Sequence, residues 1–255
     1  MRSKWIIAPA IGMSALICVG IRAQQVQPVI PILPPAAKTA KAEAKKLETV
    51  EGRADVLKTL WGDKTQVLMK GNVKFTSTDT VLTSDEVTYD KQTKTAASPG
   101  KISVTNPDCD LTGDKGTADF NKKLIVVEGN VTMLAKPKKT DEKTDPDSVK
   151  AKLNEPTTIT CPRIQYQYKD KIATATGGVN FKQAKRSGSA QKAVYDQKKE
   201  LLTLTGDVKG TDEDGQTFSA PEVVISLKKG DEWMEAKNAN ASFKIDTNEE
   251  TAPPK

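Results

Sequence analysis

The chain of 255 residues contains no histidine, three cysteines and only 5% aromatic residues. Histidine is the most common general base and a common metal ligand, so its absence argues against acid–base catalysis and against a histidine metal centre. Serine and threonine occur throughout, but no base is spaced so as to activate one of them as a nucleophile. We therefore predict a binding or scaffolding protein, not an enzyme, and expect no cofactor and no metal.

Charge is not concentrated anywhere along the chain. The 39 basic and 33 acidic side chains give a net charge of +6, and the lysines alternate with other residues in strands and turns. A nucleic-acid-binding surface needs a dense basic stripe with aromatic side chains for stacking. Neither feature is present, so nucleic acid is not an expected partner.

Long apolar runs are missing except at the N-terminus. Arg2 and Lys4 precede an apolar stretch over residues 5–21, which ends near Ala23. A basic start, an apolar stretch and a small residue describe a secretory signal peptide, and 17 residues fall short of the roughly 20 that span a bilayer. We predict a signal peptide over residues 1–23 and an exported protein. An uncleaved inner-membrane anchor is the alternative.

A short motif recurs five times, with a glycine, one variable residue and a β-branched residue. Successive glycines are 29, 29, 48 and 29 residues apart, so the third unit carries an insertion. Regular spacing of this length indicates repeated supersecondary units that bury a shared core. The five copies are Gly71-Asn72-Val73, Gly100-Lys101-Ile102, Gly129-Asn130-Val131, Gly177-Gly178-Val179 and Gly206-Asp207-Val208.

Each unit alternates apolar and polar residues with period 2, and none has a helical period. Polar turns rich in Asp, Asn and Lys follow, as at Asp90-Lys91 and Asp196-Gln197-Lys198. Alternation is typical of half-buried strands, and such turns favour hairpins. We predict an all-β fold in which each unit is about three short antiparallel strands, the first beginning after the glycine.

Composition divides the rest of the chain. Residues 24–49 are rich in Pro, Ala and Lys and are predicted to form a disordered linker, while residues 50–245 hold the repeats. The charged insertion over residues 135–156 is predicted to be a mobile surface loop, and residues 246–255 a disordered tail.

Three strand phrases carry a family resemblance. Residues 124–131 (LIVVEGNV), 201–208 (LLTLTGDV) and 82–89 (LTSDEVTY) resemble the OstA-like family of periplasmic lipopolysaccharide-transport proteins, over residues 50–245. The resemblance implies an elongated folded antiparallel sheet, a β-taco or β-jellyroll, whose apolar interior holds lipid acyl chains. It also implies a periplasmic location, lipopolysaccharide or a related lipid as ligand, and other β-domains of the transport pathway as partners.

The alternating apolar residues of the repeats are the candidate lipid contacts. Small residues at Ala96, Ala118, Ala173 and Ala193 would leave room for a guest between them. We expect the interior to be lined by Val73, Phe75, Tyr89, Ile102, Val104, Ile125, Val127, Val131, Met133, Tyr166, Val179, Phe181, Leu202 and Leu204.

Cys109 and Cys161 are a candidate disulfide, because an exported chain meets oxidising conditions. They lie in neighbouring units, four repeat positions apart, so a staggered contact is one hypothesis. Two buried small residues that do not pair are the other.

The ends of the repeat array are atypical, as expected for units that cap or present a sheet edge. Strand-forming runs lie at residues 54–57 and 65–69 near one end, and at 223–227 and 241–245 near the other. End-to-end pairing, with itself or with pathway partners, is therefore expected; a monomer whose linker and tail cover the edges is the alternative. A structural β-repeat scaffold without lipid, and a carbohydrate-active enzyme on a β-solenoid, are two further hypotheses.

Overall fold

The structure is a computed structural model that describes residues 50–61, 65–77, 79–137, 155–228 and 230–242. The predicted signal peptide, the linker, the C-terminal tail and residues 138–154 of the insertion lie outside these ranges. No helix in the part of the chain that the structure describes is long and apolar enough to cross a membrane.

The described residues form sixteen β-strands in a single antiparallel sheet, which confirms the all-β prediction. In chain order the strands are β1 (Glu51–Arg53), β2 (Val56–Leu60), β3 (Gln66–Ser77), β4 (Thr80–Asp90), β5 (Thr95–Ser98), β6 (Ile102–Thr105), β7 (Cys109–Gly113), β8 (Lys115–Asp119), β9 (Leu124–Ala135), β10 (Thr157–Gln167), β11 (Ile172–Lys182), β12 (Ser187–Asp196), β13 (Leu201–Thr211), β14 (Thr217–Lys228), β15 (Asp231–Lys237) and β16 (Asn240–Ser242). Ala135, which was assigned to the insertion, belongs to β9 and is fully buried.

The sheet is a meander in which each strand pairs with the one before it and the one after it. Four strands of the meander are interrupted. Thus β1 and β2 lie along β3, and β5 and β6 lie along β4. In the same way β7 and β8 lie along β9, and β15 and β16 lie along β14 at the far end.

Four of the five repeat glycines lie in the middle of long strands, which corrects the prediction that a strand begins after each. At each of these positions two consecutive residues have positive φ, and the strand pairing shifts register there, as in a β-bulge. A repeat unit is therefore two long strands, each crossing the bulge line, and not three short strands. The φ pairs are 72° and 47° at Gly71 and Asn72, 76° and 42° at Gly129 and Asn130, 91° and 93° at Gly177 and Gly178, and 79° and 46° at Gly206 and Asp207.

Glycine is required at the bulge for a second reason besides its φ. At Gly129 an added Cβ would lie 2.5 Å from Asp114 Oδ2. The Asp114 carboxylate accepts a hydrogen bond from Asn130 Nδ2 at 2.8 Å, and the Asp114 backbone N–H donates to the Gly129 carbonyl at 2.9 Å. The neighbouring strand thus occupies the space that a side chain would need.

Gly100 is the exception among the five. It follows Pro99, has no positive φ, and lies in the break between β5 and β6. Nothing lies within 4 Å of a Cβ built on it. Proline has no N–H to donate to a neighbouring strand. The strand is therefore interrupted at Pro99, at the position where the strands of the other units continue through a bend.

The bulges fold the sheet in two, so that its halves face each other. Ile102 lies past the bend, yet its Cδ1 would lie 2.8 Å from a Cβ built on Gly116, which lies before the bend on another strand. Met69 and Phe75, from opposite halves of β3, both approach Gly52. The elongated folded sheet predicted from the sequence is therefore the observed architecture.

The hairpin turns collect along the two free rims of the folded sheet. We call first rim the turns at residues 90–94, 119–123, 167–171 and 196–200, which end the half before the bend. We call second rim the described parts of the turns at residues 77–80, 105–109, 135–157, 182–187 and 211–217.

The apolar core fills the space between the halves in two clusters. The larger runs from Ile102 to Ile225, and the smaller consists of Met69, Val73 and Val87 near the N-terminal end. Between them lies a buried pair of hydroxyls, Ser84 and Ser98, whose oxygens are 2.5 Å apart. The interior is thus less apolar between the two clusters than within them.

No disulfide joins Cys109 and Cys161, which are both buried thiols. Cys109 lies opposite Ala135 on one side of β9, and Cys161 lies opposite Val131 on its other side. Two strand spacings and four residues along the strand separate them by well over 10 Å, beyond the roughly 7 Å that a disulfide allows between Cα atoms. The candidate pairing is therefore corrected in favour of two buried small residues.

The contrast between Gly129 and Gly100 gives a test of the bulge. Replacing Gly129 with Ala should lower the free energy of unfolding by about 1–3 kcal/mol, because the new Cβ meets Asp114 and the left-handed backbone is strained. Gly100→Ala, at the equivalent sequence position, should change stability by less than about 1 kcal/mol. Urea denaturation measures both, and equal losses would contradict the assignment.

The two thiols give a second test. In protein purified without reductant, maleimide should fail to label Cys109 and Cys161 in the folded state and should label both after unfolding. Burial raises the pKa of the Cys161 thiol to about 11, which further suppresses the reactive thiolate. Cys109→Ser and Cys161→Ser should each lose one label. Labelling that appears only after reduction would reveal a disulfide and refute the register.

Candidate binding site inside the folded sheet

Most residues predicted to face the interior do so. Each of the ten buried ones is at most 7% exposed, and they come from six different strands on both halves of the fold. The ten are Val73, Ile102, Val127, Val131, Met133, Tyr166, Val179, Phe181, Leu202 and Leu204.

The other four predicted residues are only half-buried. Phe75 packs against the smaller cluster near the N-terminal end, and Val104 packs against the edge of the larger one. Tyr89 makes an edge-to-face contact with Phe120, with ring centroids 5.9 Å apart. Ile125 lies on β9 two residues before Val127, on the same face.

The prediction missed several large buried side chains. The alternation of apolar and polar residues along the strands is the sequence signal that points to these side chains. The missed residues are Leu111, Ile159, Ile164, Tyr195, Val208, Phe218, Val223 and Ile225.

A change of face explains part of the omission. On strands opposite the bulges the inward positions are three residues apart, as from Cys161 to Ile164 and from Ala190 to Ala193. A flat strand would put such residues on opposite faces, and the bend restores them to one side. Residues five apart across the bend, such as Cys161 and Tyr166, therefore both face the interior.

The interior has the electrostatics of an apolar medium. Burial raises the pKa of the Tyr166 phenol to about 12 and that of Tyr195 further still, with nearby Glu200 and Asp196 adding to the shift at Tyr195. Because desolvation penalises the charged form, the interior disfavours ions and favours apolar groups. This environment suits an apolar guest and does not suit charged catalytic groups.

The interior is packed with side chains to different degrees along its length. In the C-terminal half, Met133, Ile159, Leu202 and Leu204 have no exposed surface. At the N-terminal end the apolar side chains of the outermost strand are open to solvent, with Leu57 63% exposed and Trp61, just past β2, 84% exposed. The interior is therefore accessible at one end and packed with its own side chains towards the other.

A polar network closes the second rim beside the packed half. Arg186, 7% exposed, lies 3.2 Å from a Glu155 carboxylate oxygen and donates to Gln183 Oε1 at 3.3 Å. Gln183 Nε2 in turn donates to Thr157 Oγ1 at 3.1 Å. These contacts hold the start of β10 against the β11–β12 hairpin.

Side chains that could bind a metal are not grouped in the described part of the chain. No set of three or more Cys, Asp or Glu side chains comes together there in a way that could hold an ion. The acidic residues 141–147 lie outside the described residues.

Comparison with known proteins found solved structures and a protein family that match this chain. The crystal structure of LptH, the LptA homologous periplasmic component of the conserved lipopolysaccharide transport device from Pseudomonas aeruginosa, aligns with 54% of this chain and 95% of its own at 12% identity and a TM-score of 0.40. No curated protein sequence matches the chain. Residues 110–231 match the family described as LptA/(LptD N-terminal domain) LPS transport protein, in agreement with the resemblance that the strand phrases indicated.

Proposed function

We propose that this protein is a periplasmic lipopolysaccharide-transport protein that shelters lipid acyl chains between the two halves of its folded sheet. The observation that carries the proposal is the apolar interior, which runs the length of the sheet and opens at the N-terminal end. The match of residues 110–231 to a lipopolysaccharide-transport family supports the choice of ligand.

The chemistry of the interior is sufficient for such a ligand. Burying an acyl chain contributes about 0.8 kcal/mol for each methylene removed from water, so affinity needs no polar group inside. Aromatic and aliphatic side chains line the accessible part, among them Val67, Phe75, Leu82 and Val104, all half-buried. An acyl chain placed there would complete their burial.

Entry into the packed half requires the two halves to separate. The halves are joined along the bulge line and meet elsewhere through apolar side chains, without a disulfide between them. Contacts between side chains would then be replaced by contacts between side chains and acyl chains, which are also apolar. We infer that lipid enters at the N-terminal end and advances as the halves part.

Both outer edges of the sheet are available for pairing. Among the described strands, β1 and β2 pair only with β3, and β15 and β16 pair only with β14. The run at residues 223–227, predicted as an edge, lies within β14 and is flanked by β13 and β15. Head-to-tail pairing of β1/β2 with β15/β16 of a second molecule would join the interiors and bridge the two membranes.

A structural repeat protein without lipid is the second candidate, because the interior of the C-terminal half is fully packed. The alternative of a retained membrane anchor concerns residues 1–23, which lie outside the described residues. A carbohydrate-active enzyme would need a pair of acids on one face. The acids of the described residues are instead spread over turns and strands, where Glu86, Glu128 and Glu222 each lie within 3.3 Å of a lysine.

Photo-crosslinking tests for lipid in the interior. A photo-reactive residue at Phe75 or Val104 should capture lipopolysaccharide in cells, and one at Leu202 should capture it less, since lipid reaches that position only after the halves part. Lys74 and Ser103, one residue along the same strands and facing outward, are the matched controls. Capture from the control positions alone would refute an interior lipid site and favour the structural candidate.

Sedimentation tests for edge pairing. Wild-type protein should form larger species as its concentration rises. Leu57→Asp should abolish this growth, because a charge on the exposed face of β2 opposes docking of another sheet. Leu134→Asp, at a 37% exposed position on the inner strand β9, introduces the same charge away from the edge and should leave association unchanged. Equal effects of the two changes would argue against pairing through β2.

A further inference from the structure

The turns of the first rim share a feature that the interior does not explain. In three of the four turns the last residue is a lysine in the left-handed conformation, with φ of 54° at Lys94, 58° at Lys123 and 58° at Lys171. Glycine or asparagine adopts this conformation at lower cost. The backbone geometry is structural, because the carbonyl of each such lysine accepts a hydrogen bond from the next turn along the rim. These hydrogen bonds require a left-handed backbone at the last turn residue, but they do not require that residue to be a lysine.

The acids of these turns are engaged locally. Asp90 Oδ1 accepts hydrogen bonds from the backbone N–H groups of Gln92 and Thr93, and Asp119 Oδ1 from those of Asn121 and Lys122. These backbone hydrogen bonds lower the pKa of both carboxyls. Each carboxylate therefore shapes its own turn, and the lysines at the turn ends project beyond it.

The two rims differ in charge. The four turns of the first rim carry eight lysines and five acids, whereas the described parts of the second rim carry four basic and six acidic side chains. Of the first-rim lysines, Lys122 and Lys199 lie 3.2 Å from Asp119 and Asp196. Lys94 and Lys171 make no ion pair among the described residues. Among the described residues, the first rim is thus the more positive border of the folded sheet.

Aromatic side chains lie directly beside these lysines. Tyr89, Phe120 and Tyr168 lie at or next to successive first-rim turns and are partly exposed, whereas Phe181 and Phe218, next to second-rim turns, are buried. Lys123 Nζ lies 5.8 Å from the centre of the Tyr168 ring, which packs against the larger core cluster. Proteins place an aromatic ring with one solvent-exposed edge beside a cationic side chain where lipid acyl chains meet headgroups.

We propose that the first rim binds the phosphate groups of the lipid headgroup, through Lys94, Lys123 and Lys171, while the acyl chains lie between the halves. The inference rests on the proposed function and assigns a binding surface to the polar end of the same ligand. Successive turns are two strand spacings apart, so the ammonium groups recur about every 10 Å along the rim. Lysine contacts phosphate as a mobile point charge, which suits a ligand that moves along the rim.

The test replaces the three lysines without disturbing the turns. Lys94→Asn, Lys123→Asn and Lys171→Asn are combined in the full chain, because asparagine tolerates the left-handed conformation and the thermal unfolding temperature should not fall. The control combines Lys74→Gln, Lys192→Gln and Lys209→Gln, which removes three exposed charges from the outer faces of strands. Binding of lipopolysaccharide is compared with binding of the same preparation after enzymatic dephosphorylation.

The rim variant should bind lipopolysaccharide about five- to twentyfold more weakly at low salt, with a smaller loss at high salt, and should bind the dephosphorylated lipid as wild type does. The control variant should match wild type for both. An equal loss in the control, or an equal loss for dephosphorylated lipid, would overturn the inference. If both wild type and the rim variant bind the two lipids equally well, only the assignment of the rim is wrong. If wild type binds neither lipid, the proposed function is wrong as well.

Two further measurements separate the sources of phosphate. Equilibrium dialysis with inorganic phosphate alone should show no retention, and retention that depends on the three lysines would instead make the rim a free-anion site. Vesicles of anionic phosphatidylglycerol should sediment wild type and rim variant alike. Loss of vesicle binding with unchanged binding of dispersed lipopolysaccharide would mark a bilayer-docking surface and overturn the headgroup assignment.

Discussion

The fold depends on a pair of consecutive left-handed residues repeated across the sheet. An antiparallel meander with one apolar face is unstable unless something covers that face. In the described residues neither a helix nor a second sheet is available, so the sheet covers itself by bending where Gly71, Gly129, Gly177 and Gly206 lie. Each half then serves as the covering layer of the other. The repeated glycine therefore marks the fold line of the sheet and not the start of a strand.

Alternation along the strands was enough to predict the fold class and most of the interior. Side chains such as Val131, Phe181 and Leu204 were assigned to the correct face because period 2 survives the bulge on their strands. The position of the bulge could not be predicted, because a glycine followed by alternating residues reads equally as the start of a strand or as its middle. The distance between Cys109 and Cys161 depends on the register in which their two strands pair with β9. That register cannot be read from a single sequence.

Under the proposed function, the described state balances side-chain packing against the space that an acyl chain would need. Side chains without exposed surface in the C-terminal half stabilise the folded sheet, but they occupy the volume that an acyl chain would need. The N-terminal end, with half-buried Phe75 and exposed Leu57, gives up some of this stabilisation. Replacing side-chain contacts with acyl-chain contacts conserves most of the apolar burial. Opening in the presence of lipid therefore costs much less than opening into water.

Hydrogen bonding along the first rim determines how such an opening can proceed. The N–H of Phe120 donates to the Lys94 carbonyl, that of Tyr168 to Lys123 and that of Gln197 to Lys171, each at 3.0 Å. A single turn cannot move outward without breaking the hydrogen bond to its neighbour, so we expect any opening of the rim about the bulge line to be collective. Collective movement favours one continuous slit over a row of separate pockets. A continuous slit is the geometry in which a lipid can travel along the sheet while its headgroup stays at one border.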